Sequence, residues 1–223
     1  MPTTHRSPSA RAAGLTRDQI VDAAIELLDA EGERGLTFRA LALRLKTGHG
    51  AIQWHVTNKS ELLIAATVST LAQALPARAQ GTAPRDAVHA VALGVFDAID
   101  AHPWLGSQLY AAPSQPAMVK LWEAIGRPVE DLGVEEGRLF TAVSTLLSYI
   151  VGVASQNAVN AHVLAADANR DDFVGAIADR WARLDPVEHR FVRRVADQLR
   201  HHDDRKEFLA GIDIILTGLT ATR

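Results

Sequence analysis

Apolar residues recur at intervals of three and four along nearly the whole chain, and no segment alternates with period two between hairpin turn signals. The pattern predicts an all-α protein. A first helix starts at Thr16, with Gln19 three positions on to close a capping box, and carries Ile20, Ala23, Ala24, Leu27 and Leu28 as one apolar stripe. Gly32 ends it. Thr37 is placed to cap a second helix bearing Leu41 and Leu45, and Thr47 a third, short one through His55. Asn58, followed by Glu61, caps a fourth that runs to about Leu75 and stops at Pro76. Longer helices follow at roughly 84–101, 103–112, 115–131, 135–165, 171–184, 187–201 and 205–220. Pro84, Pro103, Pro116 and Pro186 fall at or near their starts, where proline is tolerated. Residues 76–84 (PARAQGTAP) read as a linker and residues 1–14 as a disordered tail.

The stretch 37–63, TFRALALRLKTGHGAIQWHVTNKSELL, is the most informative. It reads as two short helices joined by a tight turn at Lys46, Thr47 and Gly48, a pair of the size that lays one helix in the DNA major groove. The second of the pair is too short and too poor in helix formers to stand alone. Glycine inside a helix costs roughly 1 kcal/mol against alanine, and Gly48 and Gly50 fall here, so packing through Ile52 and Val56 must hold it. Its other face offers His49, Gln53 and His55, the hydrogen-bonding side chains that base readout needs, while the glycines permit close backbone approach to phosphate or sugar. The apolar body of Trp54 favours packing between helices over stacking on a base.

Charge changes the picture only through its distribution. The whole chain has a net charge of −3, which alone would not suggest a nucleic-acid partner. Residues 1–60 carry 8 Lys+Arg against 6 Asp+Glu, a balance of +2, whereas the remainder carries 15 against 20. Arg6, Arg11 and Arg17 stand in an N-terminal stretch without acids, a weakly basic end on an acidic body. There is no cysteine, which removes disulfides and thiolate metal sites and fits a reducing cytoplasm. No unbroken run of about 18 apolar residues suggests a membrane span, and no apolar core of a signal peptide opens the chain. Arginine outnumbers lysine about five to one, which hints at a G+C-rich bacterial genome.

The residues that carry these readings also resemble a known family. LTRDQIVDAAIELLDAEG, LTFRALALRL and GAIQWHVTNKSELL, within 15–66, are similar to the N-terminal domain of the tetracycline-repressor (TetR) family of bacterial transcription regulators. The nearest likeness is to the subgroup with Trp-His-Val-x-Asn-Lys after the recognition helix. The resemblance implies that the third helix enters the major groove, that His55 and Lys59 contact phosphate, and that Thr37 caps a helix and contacts phosphate. Two positions depart from the family's habit. Gln53 stands where a DNA-touching tyrosine is usual, and Ala51 where a base-reading threonine is frequent. Glutamine can bond adenine N6 and N7 together, and alanine offers only a methyl contact. The expected DNA-contacting set is therefore Arg17, Thr37, Lys46, Thr47, Gly48, His49, Gly50, Ala51, Gln53, Trp54, His55 and Lys59. The expected organisation is the tail 1–14, a helix-turn-helix domain 15–60 and a helical effector-binding and dimerisation domain 61–223.

The resemblance gives the C-terminal body a role, as a domain that binds a small molecule and forms a homodimer on a palindromic double-stranded operator. Apolar stripes on the two helices 135–165 and 205–220 would suit an intersubunit four-helix bundle: Leu139, Val143, Leu146, Leu147, Ile150 and Val151 on one, Phe208, Leu209, Ile212, Ile215, Leu216 and Leu219 on the other. The same stripes would equally suit the core of one subunit. Residues able to line an effector pocket are Phe96, His102, Trp104, Leu109, Tyr110, Met118, Trp122, Phe140, Tyr149, Gln156 and Asn157, for each of which core packing is the simpler role. No cofactor is expected. His89, His102 and His162 lie on separate segments without a metal-ligand pattern. There is no G-x-S-x-G, nucleotide loop or zinc motif, and the acidic pairs Glu135–Glu136 and Asp171–Asp172 are explained by helix dipoles, so catalysis is not expected. A ligand-independent DNA-binding protein, or a body that binds another protein, are the alternatives to a ligand-released repressor.

Overall fold

The computed structural model describes residues 14–77, 81–111, 114–164 and 170–221, which form eleven helices and no strand. The all-α expectation holds. Residues 1–13 of the expected tail, 78–80 of the linker, and the last predicted position of the helix 135–165 lie outside the described residues. The backbone packs as two units, 1–66 and 67–223, and the division falls inside a helix rather than at the proline-rich stretch.

The first unit holds α1 (Arg17–Gly35), α2 (Phe38–Arg44), α3 (His49–Gln53) and the start of α4 (Lys59–Ala74). The Thr16 hydroxyl accepts from the Gln19 amide at 3.2 Å and the Gln19 side chain accepts from the Thr16 amide at 2.9 Å, the expected reciprocal box. Gly32 takes a left-handed φ of 66°, a conformation that suits glycine, and breaks the regular helix there. Ile20, Ala24, Leu27, Leu28, Leu36, Leu41, Ile52, Val56 and Leu62 fill the core of this unit.

The second unit holds the rest of α4 with α5 (Pro84–Ala101), α6 (Trp104–Ala111), α7 (Pro116–Asp131), α8 (Glu136–Leu164), α9 (Arg170–Ala182), α10 (Arg190–Arg200) and α11 (Asp204–Ala221). Pro84 and Pro116 each open a helix in its first turn, as the sequence suggested. The long α8 is the spine, with α5, α6, α7 and α11 packed on it, while α9 and α10 pack on each other. Over 136–161 α8 is long and apolar enough, by length and composition, to cross a bilayer. Counting unbroken apolar runs missed this because serines, threonines and asparagine interrupt it. Its apolar residues Val143, Leu146, Leu147, Ile150 and Val151 are buried within the unit, the behaviour of a core helix.

Two close approaches fix the arrangement. A methyl group added at Gly94 of α5 would lie 2.2 Å from the Ala74 carbonyl oxygen, so glycine is what lets α5 sit against the last turn of α4. Gly211 of α11 likewise admits the Tyr149 ring of α8, which stacks on Phe208 at 5.8 Å and 9° and donates its hydroxyl to the Phe208 carbonyl at 3.2 Å. Burial, and then the Glu207 carboxylate, raise the Tyr149 phenol above its ordinary value and keep it a donor. Because a backbone oxygen cannot yield as a side-chain tip can, Gly94→Ala should destabilise the protein by about 1–3 kcal/mol. Urea unfolding monitored by circular dichroism checks this; unchanged stability would show that α4 and α5 separate without cost.

Candidate nucleic-acid interface

α2 and α3 are only seven and five residues long, so capping and burial must position them. The Thr37 hydroxyl accepts from the Ala40 amide at 3.1 Å and starts α2. After α2 the chain turns on Lys46, which has a left-handed φ of 50°. That conformation costs a non-glycine residue roughly 1–2 kcal/mol, so the turn between α2 and α3 is held under mild strain. Thr47 does not cap α3 as predicted. It is half-buried and gives its amide to the Ala42 carbonyl at 3.0 Å, while Gly48 occupies the cap position with no side chain to accept. α3 is thus a helix without a side-chain cap, five residues long, kept in place by Ile52 and, just beyond, Val56, both fully buried.

Its remaining residues face outward. His49, Gly50, Ala51, Gln53 and Trp54 are exposed, and His55 is half-buried. The His49 ring leans on Phe38 of α2 at 5.2 Å between centroids, a contact that the sequence reading did not foresee. Trp54 overturns an expectation: it is 88% exposed and packs no helices together. Helical spacing places it on the open side because Ile52 and Val56 already claim the inward one. No methyl group at Gly48 or Gly50 would meet any atom within 4 Å, and neither glycine has a positive φ, so nothing inside the fold requires them.

The flanking cations are partly engaged. Arg17 donates to the Glu61 carboxylate at 3.3 Å, and the same carboxylate accepts the Thr57 amide at 2.9 Å. The Thr57 backbone bond, with Arg17 adding to it, holds Glu61 below the usual carboxylate range. The Asn58 side chain caps the Glu61 amide at 2.9 Å, so the predicted cap forms, but Glu61 reaches back to Thr57 rather than to Asn58. Lys59 donates to the Glu33 carbonyl at 2.5 Å. Arg44 pairs with Glu26 at 2.5 Å, while Arg39 on α2 and Lys46 in the turn before α3 are exposed. The arrangement is a short, anchored helix that presents hydrogen-bonding, aromatic and bare backbone surface, with Lys46 exposed in the turn before it. Such a surface suits contact with base edges and phosphates.

The second unit has its own opening, and not where the sequence placed it. A cavity of about 810 Å3 lies between the end of α4, the start of α5 and the outward side of α7. None of the eleven residues proposed for an effector pocket lines it. Phe96, Trp104 and Leu109 are buried in the core, Phe96 against Phe208 at 4.8 Å. His102 ends α5 beside Trp104, and Tyr149 clasps α11. Met118 and Asn157 are half-buried, and Tyr110 and Gln156 are exposed. Trp122 and Phe140 stack at 5.2 Å and border a separate, smaller cavity of about 320 Å3. Phe96, Trp104 and Tyr149 are spent on packing, while half of the residues around the larger opening are alanines and prolines, which carry no pocket signal in a sequence.

The comparisons with known proteins agree with this geometry. Residues 20–66 match the model of the bacterial regulatory proteins of the tetR family. The chain is 51% identical to a solved TetR transcriptional regulator from Streptomyces coelicolor, covering 93% of this chain and 98% of that one with a TM-score of 0.84. It is 25% identical to the S. coelicolor TetR family protein ActR in complex with actinorhodin, over 94% of this chain and 98% of that one, with a TM-score of 0.76. Over 61 residues, 27% of this chain and 28% of the other, it is 46% identical to the class D tetracycline repressor from Escherichia coli. Taken with the exposed α3, the near full-length match at high identity shows that the chain belongs to the TetR family of bacterial DNA-binding transcriptional regulators.

Proposed function

We propose that the protein is a homodimeric cytoplasmic repressor that reads a palindromic operator through α3 and is released from it by a small-molecule effector. Within the family it is assigned to the subgroup marked by Trp54-His55-Val56 and Asn58-Lys59, a reading favoured by the local identity to the class D tetracycline repressor. DNA reading is assigned to residues 15–60 and effector binding and dimerisation to 61–223. The observation that carries the reading is the outward face of α3, where two glycines that the fold does not need leave backbone open beside Gln53 and Trp54. Gln53 is assigned to base edges and Ala51 to a methyl contact. Arg17, Thr37, Lys46, Thr47, His55 and Lys59 are assigned to phosphate, with Arg17 and Lys59 exchanging their present partners Glu61 and Glu33 for it. ActR, with its bound actinorhodin, supports an effector for this chain.

For the dimer, the expected stripes divide. Val143, Leu146, Leu147, Ile150, Val151, Phe208, Ile212 and Leu216 are buried inside the subunit and cannot also face a partner, and Leu139, Leu209, Ile215 and Leu219 are half-buried. What α8 and α11 leave open is a different set: Thr141, Thr145, Ser148 and Val159 on one, Ala210, Ile214 and Gly218 on the other. Small residues let helices approach closely, and Ile214, 74% exposed, supplies an apolar contact.

Replacing Gln53 by Ala should lower the preference for operator over random duplex by about 1–3 kcal/mol. Trp54→Ala should weaken DNA binding while changing folding stability by less than about 0.5 kcal/mol, since the side chain is solvated. Competition binding and thermal melting read both; an unchanged specificity ratio removes Gln53 from readout, and a large loss of stability in the Trp54 variant contradicts its exposure. Ile214→Glu should turn a dimer into a monomer at micromolar concentration in sedimentation velocity, whereas a wild-type monomer would contradict the dimer itself.

A further inference from the structure

The cavity of about 810 Å3 has the size of a small-molecule site, for which roughly 300–1,000 Å3 is usual. Its walls are apolar: Leu75 and Pro76 after α4, Val91 on α5, and Val119, Ala124 and Pro128 on α7. Alanines at 87, 90 and 124 provide the room that larger side chains would fill. Three charged residues stand at the rim, Lys120, Glu123 and Arg127, all on α7. Arg127 donates to Glu123 one turn earlier, so those two satisfy each other. Lys120 has no ion-pair partner among the described residues. The opening is therefore an apolar groove with one uncompensated ammonium at its edge.

We propose that this groove binds an amphipathic monocarboxylate, its acyl or aryl body lying between α4, α5 and α7 and its carboxylate paired with Lys120. The proposal rests on the ligand-released reading above and names the chemical class of the effector. An apolar body gains by leaving water in proportion to the area it buries, and a lone ammonium beside an apolar wall selects an anion over a neutral or cationic head group. The position also suits regulation. The groove is bounded by the last turn of α4, the helix whose first residues lie in the DNA-reading unit, and Gly94 already sets α5 in contact with the end of α4. An occupant beside Leu75 and Pro76 touches that turn, and it shifts an equilibrium to the extent that this contact differs between two states.

The test is calorimetric titration of the full-length protein with octanoate, decanoate and dodecanoate, below their micellar concentrations, and with 1-dodecanol as the uncharged counterpart. Affinity should rise about two- to fourfold for each added methylene. Lys120→Gln should weaken dodecanoate about two- to fivefold, as expected for an exposed ion pair, and leave dodecanol unchanged. Ala90→Phe and, independently, Ala124→Phe should abolish both, with melting curves showing that each variant is folded. Absence of dodecanoate binding, binding untouched by the filling variants, or equal loss of acid and alcohol in Lys120→Gln would each overturn the proposal. Conversion of a dimer to a monomer by Ala90→Phe would also overturn it, by identifying the occupant as a second copy of the chain. Binding of a duplex selected from a random pool is followed in the same samples. If the duplex binds and dodecanoate does not, the groove assignment falls and the DNA-reading role stands; if no duplex is ever bound, the underlying reading falls, and the titrations still decide the groove.

Discussion

The position of α3 depends on the burial of Ile52 and Val56. A five-residue helix with a glycine in its first turn and no side-chain cap has no stability of its own. Two apolar side chains sunk into the core of the first unit supply what the backbone lacks. They also decide which way everything else points. With Ile52 inward, Gly50, Ala51, Gln53 and Trp54 have only solvent to face, and the strained turn at Lys46 and the contact of His49 with Phe38 follow from bringing α3 back against α2. The surface proposed to meet DNA is what remains of a packing problem solved on the other side of the helix.

A second economy runs through the larger unit. Several of its aromatic residues are committed to packing: Tyr149 of α8 stacks on Phe208 and bonds the α11 backbone, and Phe96 closes on the same ring from α5. Openings are left where side chains are small. Gly94 brings α5 onto the end of α4, and alanines on α5 and α7 leave a groove beside that junction. Helix packing and the groove follow from the same distribution of small residues, and the groove borders the last turn of α4.

The sequence made legible whatever is set locally. The box of Thr16 and Gln19, the caps at Thr37 and Asn58, the left-handed break at Gly32 and the prolines opening α5 and α7 are each decided within four residues, and each appears where the pattern put it. What failed depended on distance. Trp54 was assigned to packing by its composition, but its orientation follows from Ile52 and Val56 taking the inward side. Thr47 lost its capping role because α3 starts one residue later than expected, with Gly48 at the cap position. The stripes on α8 and α11 had the right period for a bundle, yet periodicity cannot say whether the facing helix belongs to the same subunit; here α5 and α7 claim much of the α8 stripe. The residues expected to line a pocket are mostly aromatic or otherwise large, whereas alanines and prolines make up half of the lining of the larger opening.

The central claim is that the outward face of α3 reads base sequence in a symmetric site. Its most direct measurement is selection of bound duplexes from a random pool by the full-length protein, followed by sequencing of the enriched population. The account predicts an inverted repeat with half-site centres spaced by about one helical turn, roughly 10–10.5 base pairs, or a multiple of it. Enrichment of no motif over the starting pool, in a protein shown to be folded, would contradict it.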